Sequence, residues 1–174
     1  GNLSFSQVSS DFVKIKTIDA SDVSSVVMVH GSNSVVFDGT YAQYHLKIMN
    51  YVHNGTNDNL QIRVTTDGTN YLTSGYNTQT FRAYYSGNTD SYSNYTDSAW
   101  RWNFGGNASA LTGAAQQADV FISNPTLNNY PDFRGFFWGA EANQALLGMA
   151  RGRYQTSGTI TGFQLTQPNG ANFS

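Results

Sequence analysis

Only a few side chains are suited to acid–base or metal chemistry. The sequence has three histidines, His30, His45 and His53, and a single glutamate, Glu141. His45 and His53 would lie about 26 Å apart on one straight strand, at ~3.3 Å per residue, and could not bind the same metal ion. No spacing pairs Glu141 with an aspartate as the two carboxyl groups of a glycosidase, and no Gly-x-Ser-x-Gly nucleophile elbow occurs. The sequence therefore predicts no enzyme, no catalytic residue, no metal site and no cofactor.

Aspartates in polar segments leave one alternative open, a calcium ion bound by a loop. Asp58, Asp67, Asp90 and Asp97 stand in such segments. Calcium takes six to eight oxygen ligands, usually several from one loop, and no EF-hand or repeated aspartate pattern is present. Asp67 precedes Gly68, and this pair is more simply explained as a tight turn.

A polar stretch rich in tyrosine and asparagine is the strongest candidate for a binding site. Sugars stack on aromatic rings, and amides and carboxylates bind their hydroxyl groups. The predicted ligand-binding residues are Tyr84, Asn88, Asp90, Tyr92, Asn94, Tyr95 and Asp97. The same residues suit a solvated loop or a contact between subunits, because tyrosine is favoured at interfaces. Carbohydrate binding by this loop is therefore the alternative function, and a host-surface glycan is its ligand.

Composition places the chain in the all-β class. Aromatic residues make up 14% of the 174 residues and charged residues only 11%, with a net charge of −2 and no cysteine. Aromatic and β-branched residues suit strands, whereas disorder is associated with few aromatics and high net charge. The weak negative charge disfavours nucleic-acid binding, and no apolar run reaches the ~20 residues of a membrane helix. Scarce lysine suits a surface that is permanently covered by partners or further copies.

Short alternating segments predict about ten or more strands, little helix and a single domain over residues 1–174. Residues 98–104 place Trp100, Trp102 and Phe104 on one face, which favours a role in the core. Residues 87–97 are predicted as a loop between strands. Strands are expected at 12–18, 26–29, 34–37, 41–53, 60–65, 79–86, 98–104, 118–123, 133–138, 145–151 and 158–167. This number of strands indicates an antiparallel β-sandwich or jelly roll.

The order of several blocks resembles a family of jelly-roll virion structural proteins of tailed phages, frequent in marine and cyanobacterial phages. The blocks are residues 41–50 (YAQYHLKIMN), 60–71 (LQIRVTTDGTNY), 118–125 (ADVFISNP), 158–163 (GTITGF) and 168–174 (PNGANFS). The resemblance extends over residues 34–174. Each block is weakly specific, and their order and spacing carry the likeness.

The resemblance implies a non-enzymatic virion part: a tail fibre, an appendage or a capsid knob or decoration domain. It implies docking on other virion proteins, a homo-oligomer with a trimer favoured, and attachment to a host surface. The family pattern continues with a further strand, whereas this sequence stops at Ser174. We therefore expect that the last strand is either missing or supplied by another chain, because an open sheet edge favours strand addition.

Overall fold

The chain folds as a two-layer antiparallel β-sandwich in the computed structural model. The structure describes residues 13–51, 60–101, 116–123, 125, 130–141, 144–167 and 172–173, of which 95, 96, 140, 141 and 144 are described by their backbone alone. No helix occurs among these residues. The ten strands are β1 (Ser25–Val29), β2 (Gln43–Tyr51), β3 (Gln61–Thr65), β4 (Tyr76–Tyr84), β5 (Thr89–Asp97), β6 (Trp100–Arg101), β7 (Gln116–Ser123), β8 (Asp132–Glu141), β9 (Gln144–Tyr154) and β10 (Gly162–Thr166).

The strand order is that of a jelly roll with one strand expanded into three. The smaller sheet has the order β1-β10-β3-β6 and the larger sheet β2-β7-β8-β9-β4-β5, and the paired strands are antiparallel. The β7-β8-β9 meander can be counted as one strand, strand 7, so that β10 becomes strand 8. The two sheets then have four strands each, in the orders 1-8-3-6 and 2-7-4-5, which is the jelly-roll arrangement. The predicted all-β, jelly-roll-like sandwich of about ten strands is thereby confirmed.

Alternate residues of each strand fill the space between the sheets. Ile62, Val64 and Leu165 of the smaller sheet and Ile122 and Phe133 of the larger sheet are among the buried core residues. This alternation, with a period of two, is what a half-buried strand requires. The outward residues of the same strands form the two outer faces of the sandwich.

Trp100 occupies the centre of the core. Its side chain is fully buried and stacks on Phe133 with ring centroids 5.3 Å apart. It also lies directly over Gly135 and Gly152, where an added Cβ would meet its ring at 3.2 Å and 2.5 Å respectively. The predicted core role of Trp100 is confirmed, whereas Trp102 and Phe104 lie outside the described residues.

Two predicted strands are wrong. The described part of the first, residues 13–18, belongs to no strand, and its half-buried Ile15 packs against the core. In the second, residues 34–37, a turn with positive φ at Asn33 and Ser34 leads to buried Val35 and Phe37. In the second segment the apolar residues are buried without backbone pairing, whereas in the first segment Ile15 is half-buried and Val13 is exposed.

The long strand predicted at 41–53 is confirmed from Gln43, where β2 begins, to Ile48, after which the side chains change face. Strict alternation from Tyr44 would place Tyr51 on the polar face, but Tyr51 is buried, because a bulge between Ile48 and Tyr51 shifts the pairing with β7. Asn50, inside this bulge, has a φ of 54°. Val52 and His53 lie outside the described residues. A bulge turns the following side chains to the opposite face, so that Tyr51 reaches the core.

The segment near the end of the sequence contributes a single bridge to the sandwich. Phe173 pairs with Val23 as an isolated antiparallel bridge, and its ring is buried against Tyr51 at 5.8 Å between centroids. Asn172 donates to the backbone oxygen of Asp22 and to its side chain, at 3.3 Å and 3.0 Å.

Candidate docking surface on the larger sheet

The described histidines take part in structural contacts. The backbone N–H of Phe37 donates to Nδ1 of His30 at 3.0 Å. His45 pairs with Asp119 at 2.7 Å and stacks on Phe121 with ring centroids 4.5 Å apart. Across the described residues, no group of three or more histidine, aspartate or glutamate side chains could hold a metal ion.

The sequence predicted that residues 87–97 form a loop, and this is wrong. Residues 89–97 form strand β5, which pairs with β4 at the edge of the larger sheet. The turn between the strands contains Gly87 with a φ of 86°, and Asn88 is exposed there. The segment is polar because an edge strand at the rim of the sandwich has few apolar neighbours to pack against.

The structure brings most of the predicted site residues to one side of this hairpin, the side that faces the core. Asp90 forms an ion pair with Arg82, whose guanidinium lies 5.5 Å from the centre of the Tyr84 ring. Arg82 is buried and Asp90 is exposed. This group therefore stabilises the hairpin through a partly buried ion pair.

A second group from the predicted site lies further along β5. Asn94 donates from Nδ2 to the Tyr92 hydroxyl at 3.0 Å, and that hydroxyl lies 3.5 Å from Oδ2 of Asp97. Asp97 is buried, pairs with Arg101 at 3.1 Å, and accepts the Ser98 N–H at 2.7 Å. The Tyr92 side chain is 38% exposed, so its ring remains accessible while its hydroxyl is held. The side chain of Tyr95 is not among those described.

Two side chains with strongly shifted pKa values, Tyr76 and Asp67, both make hydrogen bonds that stabilise the fold. Burial raises the pKa of the Tyr76 hydroxyl, which accepts the Val64 N–H at 2.8 Å and donates to the Leu72 carbonyl at 3.2 Å. Hydrogen bonds from the backbone and side chain of Asn70 hold the pKa of Asp67 far below its usual range. The predicted turn at Asp67 is confirmed by these contacts and by a φ of 80° at Gly68.

An exposed apolar row crosses the outer face of the larger sheet. Phe136 of β8, Met149 of β9 and Phe81 of β4 stand directly opposite one another in the strand register. Their side chains are 50%, 53% and 45% exposed. The next outward position of β9, Leu147, is 60% exposed and pairs with Trp138 of β8. These five residues form the apolar strip, the term used for them below.

Arginines border the apolar strip on one side. Arg134 and Arg151 lie opposite each other in the neighbouring row, and Arg153 follows one row further. Arg134 lies 5.9 Å from the centre of the Phe121 ring, and Arg151 lies 3.7 Å from the Asp132 carboxylate. Three arginines and one aspartate thus lie on this side of the strip, which is cationic, and a second aspartate of this face, Asp119, pairs with His45.

The outer face has the size and layout of one side of a protein interface. A groove of about 320 Å³ runs between the strip and the arginines. Six strands at about 4.8 Å spacing and five outward positions per strand cover on the order of 700 Å², close to the ~800 Å² that each partner buries in a standard interface. An apolar centre with an arginine-rich rim is typical of such contacts.

The sequence analysis missed this surface, although a signal for it is present. Strands β8 and β9 contain adjacent apolar pairs, Phe136–Phe137 and Leu146–Leu147. In each pair one side chain is buried and the other is exposed. Strands that read as continuous apolar runs are typically covered on both faces, so these pairs could have indicated a second apolar face.

No protein-family model, curated protein or solved structure matches the chain. In the part of the chain that the structure describes, no helix is long and apolar enough to cross a membrane.

Proposed function

We propose that this chain is a non-enzymatic structural protein of a tailed-phage virion, a fibre, appendage or capsid decoration domain that acts by protein–protein docking. Support for the virion assignment comes from the ordered sequence blocks together with the jelly-roll strand order. A fold alone does not determine a function, so the docking role is argued from the surface itself.

The single observation that carries the docking proposal is the apolar strip. Exposed apolar side chains are common on protein surfaces when they are scattered, but a contiguous patch in the centre of a sheet marks an interaction site. Phe136, Met149 and Phe81 are in register on three neighbouring strands, so their exposed surfaces are contiguous. Covering them would remove this apolar surface from water, which favours association.

The charges beside the strip define the chemistry of the partner. Arg134, Arg151 and Arg153 lie on one side of the strip together with Asp132, and Asp119, which pairs with His45, stands opposite Phe136. A partner therefore presents apolar side chains bordered by aspartate or glutamate, and a surface of another virion protein with this pattern is the proposed occupant. Complementary charges would accelerate docking and fix its orientation.

Rebinding of the protein to virions tests the docking proposal. The double variant Phe81→Ser/Met149→Ser should keep the folded sandwich and fail to rebind virions from which the protein has been removed. Val13→Ser, which changes a 58% exposed apolar side chain outside the sheets, is the matched control and should rebind. Mass spectrometry of purified virions that finds no copy of this chain would refute the proposal.

Self-association is a separate expectation within the same function. Light scattering on a size-exclusion column gives the mass of the chain in solution, and a trimer is favoured by the resemblance. A trimer that dissociates in the Phe81→Ser/Met149→Ser variant would assign the apolar strip to contacts between copies. A trimer that survives in this variant would leave the strip to another virion protein.

A second candidate function, carbohydrate binding by the β4–β5 hairpin, is favoured by one observation. The Tyr92 ring is 38% exposed while Asn94 holds its hydroxyl in place, so the ring is pre-oriented for stacking on a sugar. Tyr92→Ala should abolish retention on a glycan column with little loss of stability. Unchanged retention would remove this site.

A further inference from the structure

The outer face of the smaller sheet carries a polar groove, on the side of the sandwich opposite the apolar strip. Its volume is about 290 Å³. Strands β1, β10 and β3 form its floor, with outward residues Ser25, Thr166 and Gln61 aligned in one row. The lining side chains are all polar: Ser24, Ser25, Gln61, Arg63, Gln164, Thr166 and Gln167.

Two glutamines of this groove have buried amide oxygens without hydrogen-bond partners among the described residues. Gln61 and Gln167 are each 2% exposed, and Oε1 of both lacks a donor. The amide nitrogens are engaged: Nε2 of Gln61 donates to the Thr166 hydroxyl at 2.9 Å, and Nε2 of Gln167 donates to the Asn172 carbonyl at 3.3 Å. Buried polar atoms are normally paired, so two unpaired acceptors lining one groove call for an external donor.

Arg63 supplies a positive charge to the lining of this groove. It stands on the outward side of β3, opposite Gln164 of β10, and is partly buried. Its Nε donates to the Ser98 carbonyl at 3.3 Å. A guanidinium carries five N–H donors, so Arg63 can also bind a hydroxyl or carboxylate oxygen of a ligand.

We infer that the polar groove binds a hydroxyl-rich ligand of the saccharide class. Such a ligand offers both the donors that the two glutamine oxygens require and the acceptors that the Arg63 guanidinium and the serine hydroxyls require. The glutamine oxygens are shielded from solvent, so binding includes a small displacement of the side chains at the rim of the groove. If the chain docks through the apolar strip, as proposed above, the groove faces away from the particle, toward a host surface.

A peptide strand fits this groove less well than a saccharide. Strand addition needs a free sheet edge, whereas the groove lies over the outer face of the sheet, and of its three floor strands only β1 is at an edge. The lining also lacks an apolar pocket to anchor a peptide side chain. Small hydroxyl-bearing rings need neither feature.

Nuclear magnetic resonance of the full chain, labelled with ¹⁵N, tests the inference. The probes are glucose, galactose, N-acetylglucosamine and galacturonate, each titrated separately. At least one of them should cause saturable shifts of the side-chain amide signals of Gln61 and Gln167. A stronger response to galacturonate, lost in Arg63→Met, would show that Arg63 holds a carboxylate; equal responses would show that it holds a hydroxyl.

Variants separate binding from folding. Gln61→Leu/Gln167→Leu should weaken saccharide binding by at least about tenfold, the effect of one lost hydrogen bond. The substitutions also remove the Nε2 hydrogen bonds to Thr166 and Asn172, so urea denaturation must show that the variant is folded before its binding is compared. The control Gln117→Leu makes the same chemical change on the outward side of β7 in the larger sheet and should bind like the wild type.

Two results would overturn the inference. One is the absence of shifts at Gln61 and Gln167 with all four saccharides. The other is a response to an acidic peptide and to no saccharide. The Phe81→Ser/Met149→Ser variant changes the apolar strip and keeps the polar groove intact. It should therefore still bind saccharides, whether or not it has lost docking on virions.

Discussion

The two faces of the larger sheet carry comparable apolar bulk, but only one face is covered. On the inner face of β8 and β9, Phe137 is fully buried and sits so close to Gly148 that an added Cβ would lie 2.1 Å from its ring. On the outer face of the same strands, Phe136, Met149 and Leu147 are half exposed or more. The inner face has no room for one methyl group, whereas the outer face has room for a partner.

This difference separates two uses of apolar side chains. Inner residues stabilise the fold because the opposite sheet already covers them, and protein interiors are packed as densely as organic crystals. Outer residues add little to the stability of the isolated chain, because they remain in contact with water. Their apolar surface contributes free energy only when another molecule binds. Substitutions on the inner face should therefore affect folding, and those on the outer face should affect assembly.

The largest effect is expected from adding one methyl group to the inner face. In Gly152→Ala the new Cβ would lie 2.1 Å from the Asn77 carbonyl oxygen and 2.5 Å from Cδ1 of Trp100. The first atom belongs to the neighbouring strand and cannot move without breaking the sheet. We expect a loss of at least about 4 kcal/mol of unfolding free energy, measured by urea denaturation, or no soluble protein at all.

Gly158→Ala is the control for this substitution. No atom lies within 4 Å of the position of its added Cβ, so its stability should be close to that of the wild type. Equal stabilities for the two alanine variants would mean that the inner face is loosely packed, and the contrast between the faces would fail.

Two adjacent leucines of β9 give the most direct test of the contrast. Leu146 is 4% exposed and Leu147 is 60% exposed. Leu146→Ala should cost about 3 kcal/mol, the effect of removing a buried leucine side chain and leaving a cavity. Leu147→Ala should change stability by no more than ~0.5 kcal/mol and should reduce virion rebinding. Urea denaturation of both variants, followed by the rebinding assay, measures these effects. A loss of stability in Leu147→Ala equal to that in Leu146→Ala would contradict the contrast.

The sequence predicts which residues alternate but not which side of the sheet they occupy. In β4, the alternation puts Phe81 and Ala83 on one side of the strand, and the structure shows that this side faces outward. Which side is buried depends on the position of the other sheet, and that position is set by contacts between residues far apart in sequence. The apolar strip combines three strands from two separate parts of the chain, so the adjacent apolar pairs of β8 and β9 can indicate a second apolar face but not that Phe81 of β4 completes it.

Local chemistry predicts turns well and edge strands poorly. The turn at Asp67 was correct because its hydrogen bonds join neighbouring residues. The strand at 89–97 was taken for a loop because its composition is polar, although it pairs with β4 along its length. Tyr92, Asn94 and Asp97 of the predicted site do lie close together, but on a strand and not on the predicted loop.

The bulge in β2 is a local feature that places Tyr51 on the inner face of the sheet. Substitutions in the bulge should change the free energy of unfolding by an intermediate amount. Asn50 has a φ of 54°, in the left-handed region that asparagine and glycine tolerate best. Asn50→Ala should cost about 1 kcal/mol, because this conformation is strained for alanine, whereas Asn50→Gly should be close to neutral. Urea denaturation of the two variants measures the difference. A neutral Asn50→Ala would mean that the bulge relaxes, and Tyr51 would then be expected to become exposed.

The smallest effect concerns an exposed side chain, and it tests whether exposure alone makes a residue unimportant to the fold. Asp67 is exposed, yet its carboxylate accepts the backbone N–H groups of Thr69 and Asn70 at 2.8 Å and 2.7 Å. These bonds hold the pKa of Asp67 below its usual range, so the folded state favours the ionised form. Its contribution to stability is therefore present above the ordinary aspartate pKa of about 4 and is lost as the pH falls toward the lower pKa of the folded state.

Asp67→Asn should have a lower thermal midpoint than the wild type at pH 6, and the difference between the two midpoints should narrow as the pH is lowered below about 4. A gap that stays constant across this range would mean that the ionised carboxylate does not stabilise the turn, and that exposed polar contacts contribute as little here as the outer face of the larger sheet does.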